Sequence, residues 1–177
     1  VLVFSAAIAL MAAFSQWRRT EFPQSRRMVT GLALILAAQL TQFIVSLLVL
    51  RGTVDAGVVL PPLDRAVVLF SIIWASWLWA FPEPTPTADL AAIILSVVNA
   101  IALVLDIAVR SQQTPLIAYN ATPAATIWTF GAIAVAILGI VILFLRRANG
   151  WENGVAFLAL ILTGEVLALF TRAAGSS

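Results

Sequence analysis

Long apolar runs, separated by short polar breaks, dominate the chain. A bilayer core of about 30 Å takes roughly 20 helical residues to cross. Six runs reach or approach that length, at about 1–17, 28–50, 64–81, 89–109, 125–145 and 151–170. Polar residues do not alternate with apolar ones inside them, as the strands of a membrane barrel require. Hydrocarbon offers backbone amides no water to pair with, so such runs predict helices. The pattern therefore predicts an all-α fold, a polytopic transmembrane helix bundle of six spans forming one domain over 1–177.

The breaks carry their own punctuation. They read "WRRTEFPQSRR", "RGTVDAGVVLPP", "FPEPTPTAD", "SQQTPLIAYNATPAA" and "RRANGWEN", and most are short enough to make neighbouring helices antiparallel. Pro61 and Pro62 are expected to end a loop and stiffen the start of the third span, where missing N–H donors cost little. Asp64 then falls at a helix N-terminus, where an acid complements the dipole. Thr87 or Asp89 is expected to cap the fourth helix.

Composition agrees with the pattern. The chain of 177 residues is 62% hydrophobic and 10% charged, with a mean hydropathy of +1.05. That is more apolar surface than a water-soluble domain hides. The chain has no Cys and no His, and all ten basic residues are Arg. Disulfides, thiol chemistry and most nucleophile and metal constellations are thereby excluded, and no phosphate loop or Gly-rich dinucleotide turn occurs. No catalytic residue, metal or cofactor is expected. A net charge of +2 gives no reason to expect a nucleic-acid partner. The first run lacks the basic start and cleavage site of a signal peptide.

Charge also suggests an orientation. If all six runs span, Arg18, Arg19, Arg26, Arg27, Arg146 and Arg147 share one side, against Arg51, Arg65, Arg110 and Arg172 on the other. The excess of arginine marks the first side as cytoplasmic. Trp17, Trp128 and Trp151 then fall at interfaces, as aromatic anchors do.

Ionisable groups within spans are costly and invite functional readings. Ser96, Asn99, Leu103, Asp106 and Arg110 recur at steps of three and four and share one helix face. Gln39, Gln42 and Ser46 do the same in the second span, and Glu165 lies in the sixth with no Arg or Lys one turn away. Gln42, Ser46, Asp106 and Glu165 fall in the outer half of the membrane, with Asp64 and Arg65 at its rim. A polar cluster opening outward follows. Ordinary structure competes with it: Asp106 and Arg110 are spaced for a local ion pair, and the glutamines suit interhelical hydrogen bonds. Trp74 and Trp77, three apart, can stack and seat a flat apolar ligand, or simply pack. The candidate ligand-binding residues are therefore Gln42, Asn99, Asp106, Glu165, Trp74 and Trp77, with Asp64 and Arg65 at the outer rim.

Several stretches also carry a family likeness: "WRRT", "LPPLDRA", "LWAFPEP", "YNATPAATIW" and "LRRANGWENGVAFLALILTGEVL". In order and spacing the chain resembles the N-terminal multi-span input module of bacterial sensor histidine kinases and related PAS- or GAF-containing signalling proteins. The resemblance implies a seventh span after Ser177, cytoplasmic output domains beyond it, a homodimer formed through the parent protein, and the bacterial cytoplasmic membrane. It implies signal input without catalysis, the stimulus being a small molecule, a lipid or the state of the bilayer. It supplies no ligand contacts. Small residues Gly131, Ala132, Ala136 and Gly139 would let helices slide. Two other classes fit the residues: a proton-coupled carrier using Asp106 and Glu165, and a non-catalytic subunit of a larger membrane complex.

Overall fold

The computed structural model describes residues 2–20, 23–147 and 151–174. They form six helices, α1 (Leu2–Thr20), α2 (Pro23–Leu50), α3 (Ala56–Ala80), α4 (Pro86–Ser111), α5 (Pro123–Arg146) and α6 (Trp151–Ala174), with a 3-10 turn at Tyr119–Ala121. No strand occurs among the described residues. Four helices, α2 to α5, are long and apolar enough to cross a membrane. The fold is thus all-α, and the chain reads as an integral membrane protein. Val1, Gly150 and the side chain of Arg172 lie outside the described residues.

Five predicted segments match their helices to within a few residues. The third does not. Helix α3 starts at Ala56, eight residues before Asp64, and Asp55 is its cap. The Asp55 carboxylate accepts from the backbone amides of Gly57 at 2.7 Å and Val58 at 3.3 Å, so it supplies acceptors for two amides of a first turn that have none within the helix. Pro61 and Pro62 therefore sit inside the helix rather than before it. Likewise neither Thr87 nor Asp89 caps α4. Thr85 occupies that position without a side-chain capping bond, and Pro86 follows at the start of the helix.

Helix α3 is the centre of the bundle, packed against α2, α4, α5 and α6, while α1 leans on α2. On one side Ile72 and Ala80 of α3 meet Ala132, Ala136 and Leu143 of α5 and Leu158 of α6. On another, Ile73, Trp74, Trp77 and Leu78 meet Ala88 and Ala92 of α4. Apolar side chains that face outward, such as Phe43, Val97, Val104 and Phe130, are more than half exposed. This is the surface that lipid covers. Arg18 and Arg26 line one cavity with Arg27 and Trp77, and Arg146 lies 4.5 Å over the ring of Phe81. These contacts gather at one end of the bundle, hereafter the arginine-rich end.

The small residues of α5 do not act alike. Ala132, Ala136 and Gly139 are buried toward α3 and α6. A methyl group at Gly139 would come within 2.5 Å of Ser76 Oγ and 2.8 Å of Leu158 Cδ1, whereas one at Gly131 would meet nothing nearer than 4.0 Å. Gly139 therefore sets how closely α5 approaches its neighbours, and Gly131 does not. Gly139→Leu should cost about 1–3 kcal/mol through overpacking. Gly164→Leu, at a position with nothing within 4 Å, should leave stability nearly unchanged. Thermal unfolding of both variants in detergent compares them.

Candidate functional site

A seam of side-chain hydrogen bonds joins α3 to α4 along its whole length. Starting from the end opposite the arginines, Arg110 donates to the carbonyl of Gly57 from Nε at 3.1 Å and Nη2 at 2.7 Å. Asn99 Nδ2 donates to the carbonyl of Ala66 at 3.0 Å. Trp74 Nε1 donates to Ser96 Oγ at 3.1 Å, and Trp77 Nε1 to Asp89 Oδ1 at 2.8 Å. The prolines explain the first of these bonds. Within a helix the N–H of residue 61 would pair with the carbonyl of Gly57; proline has none. The carbonyl is left open, and Arg110 closes it. Arg110 is 3% exposed.

Asp106 does not pair with Arg110. It accepts instead from the Tyr119 hydroxyl at 2.6 Å and from Trp128 Nε1 at 2.9 Å, both at Oδ2. Trp128 is accordingly a buried donor, not an interfacial anchor. Arg110 in turn lies 4.9 Å over the Tyr119 ring. Burial pushes the Tyr119 hydroxyl well above its ordinary value, and the bond to Asp106 adds to this, against an opposing pull from Arg65 and Arg110. It thus remains a donor. Tyr119 and Trp128 were absent from the sequence-derived site. The tyrosine lies in a connection and carries no helical periodicity, so only the fold brings it to Asp106.

Between α4 and α5 lies a slot of about 440 Å³, with Asn99, Ala102, Asp106, Trp128 and Gly131 among its lining. Val98, Leu105, Val109 and Ile127, which also line it, are 56% to 71% exposed, so the slot opens sideways to the lipid-facing surface. Its walls are apolar. Asn99 supplies an exception: its Nδ2 is used on Ala66, which fixes the amide orientation. Its Oδ1 is buried and has no donor.

The other candidates do not join this site. Gln42 Nε2 donates to Asp64 Oδ1 at 2.9 Å, joining α2 to α3, with Asp64 exposed and Gln42 half-buried. Ser46 bonds back to its own helix at Gln42. Arg65 bridges α3 to α6, donating from Nη1 to Glu165 at 2.9 and 3.2 Å. Glu165, for which the sequence offers no helical neighbour of opposite charge, is thus paired across helices. The pair is partly buried, its side chains 18% and 11% exposed. Trp74 and Trp77 meet edge to face, with ring centroids 5.0 Å apart, and are buried. Trp77 belongs to the arginine-rich end. The predicted single outward-opening cluster is therefore several separate contacts, of which Asn99 and Asp106 share the slot.

Family models, curated proteins and solved structures were all compared with the chain, and none matches.

Among the described residues no group of three His, Cys, Asp or Glu side chains could hold a metal ion. The Tyr119 contact has a direct test, because the chain contains one tyrosine. A raised value in the folded state means stability that is full below the ordinary phenol value of about 10 and is lost as pH rises beyond it. Tyrosinate absorbance should stay absent past that pH and emerge on unfolding. Asp106→Asn should move its onset down, yet not to the ordinary value, since burial is the larger cause.

Proposed function

We propose that this chain is a membrane-embedded signal-input module, with all six helices spanning the bilayer and the arginine-rich end in the cytoplasm. The resemblance to sensor-kinase input modules motivates this class, together with a bacterial cytoplasmic membrane, a homodimeric parent and cytoplasmic output domains. The observation that carries the reading is the slot between α4 and α5, open to lipid and floored by an unpaired acceptor on Asn99. Its ligand would be an apolar molecule bearing one O–H or N–H donor, drawn from the bilayer. An unmade hydrogen bond in apolar surroundings costs about 1–3 kcal/mol, so a donor arriving at Asn99 Oδ1 is strongly favoured over plain hydrocarbon.

Signal transfer follows from how α4 is held. It is bonded to α3 throughout, while its link to α5 is the Trp128–Asp106 bond at one end of the slot. A ligand that fills the slot wedges α4 away from α5, with α4 pivoting on its bonded seam with α3. Such packed interfaces move between discrete arrangements by about 1–2 Å.

The absence of Cys lets spin labels be placed cleanly at Val104→Cys on α4 and Phe130→Cys on α5, both lipid-facing. Two distance populations are expected in nanodiscs. Ala102→Trp, which fills the slot, should collapse them to one and lock the output of the full-length protein. A single distance unchanged by Ala102→Trp, with wild-type signalling, would count against the proposal.

A further inference from the structure

The arginine-rich end holds a cavity of about 930 Å³ between α1, α2, the end of α3 and the Pro84 segment. Arg18, Arg26, Arg27, Trp17, Trp77 and Thr30 line it. Arg27 is the fixed element. Its Nη1 and Nη2 donate to the two oxygens of Asp89 at 3.2 and 2.7 Å, and its guanidinium lies 4.0 Å over the Trp77 ring. Arg27 is 9% exposed, and its Nε is buried with no acceptor. Arg18 and Arg26 are exposed, and no ion pair to either occurs among the described residues.

Helix dipoles account for an arginine in the last turn of α1. They do not account for three guanidinium groups from two helices converging on one hollow. Asp89 neutralises one of the three, which leaves an excess of positive charge facing aromatic walls. Glu83, next to Pro84, is not among the lining residues. Guanidinium groups match phosphate oxygens geometrically as well as by charge. Tryptophan suits the level where headgroups meet acyl chains.

We propose that this cavity binds the phosphate group of an anionic glycerophospholipid, with Arg18 and Arg26 reaching the phosphate, Arg27 as the fixed base, and Trp17 against the glycerol and upper acyl chain. The assignment rests on this cavity alone and does not depend on the slot or on a signalling role.

Native mass spectrometry of the full chain in detergent tests it, with phosphatidylglycerol, phosphatidylcholine and glycerol 1-phosphate as probes. Wild type should retain phosphatidylglycerol over phosphatidylcholine. Arg18→Gln with Arg26→Gln should weaken that retention roughly tenfold, on the scale of about one basic side chain's worth of headgroup attraction or more. Both side chains are exposed, so folding should be unaffected. Arg146→Gln with Arg147→Gln removes the same charge outside the cavity and should leave retention intact. Equal loss in the two double variants, or loss in neither, overturns the site. Glycerol 1-phosphate binding as tightly as phosphatidylglycerol overturns the lipid as its source.

Discussion

A carbonyl that its own helix cannot satisfy organises this bundle. Pro61 removes the partner of Gly57 within α3, and a carbonyl so deprived needs a donor from elsewhere. Arg110 of α4 supplies the bond. Further polar bonds follow down the seam, where Asn99 donates to the Ala66 carbonyl and the indoles of Trp74 and Trp77 find oxygens on α4. Two apolar helices have little hydrophobic reason to associate in lipid, so packing and such hydrogen bonds hold them together. The register of α4 on α3 is thus dictated by polar groups spaced along one face.

That attachment shapes everything around it. Committed to α3, α4 meets α5 chiefly at Asp106 and Trp128, and the slot is the space left over. Helix α5 instead closes tightly on α3 and α6 through Ala132, Ala136 and Gly139. Arg65 and Glu165 tie α6 to α3. At the arginine-rich end, Arg27, Asp89 and Trp77 bind α2, α3 and α4 into one unit and present a base toward the cavity beside α1. The bundle therefore has a firm centre, and among the hollows around it one is apolar with an open acceptor and one is cationic.

Much of this was legible in the sequence, and the failures share a cause. Runs such as 125–145 located helices because hydrocarbon tolerates little else. The stripe from Ser96 to Arg110 predicted a polar face, and it is the face that meets α3. Three readings misled. Asp106 and Arg110 have ideal spacing for an ion pair, but each has a better partner from distant sequence. Asp64 looked like a helix start because prolines precede it. Yet Asp55 caps the helix earlier, and the cost of the prolines is met from another helix, which no local pattern reveals. Glu165 looked isolated because its partner lies 100 residues away. Local grammar yields elements and faces; it does not say which face meets which.

A double-mutant cycle on Arg110 and Pro61 tests the organising claim most directly, read as unfolding free energies in detergent. Arg110→Met should cost about 2–3 kcal/mol in the native background, by leaving the Gly57 carbonyl unpaired. Pro61→Ala restores an N–H four residues on, so the same Arg110→Met change should then cost less, with a coupling on the order of 1 kcal/mol. Additivity within about 0.5 kcal/mol would contradict the account, because it would mean that Arg110 does not serve the carbonyl that Pro61 leaves open.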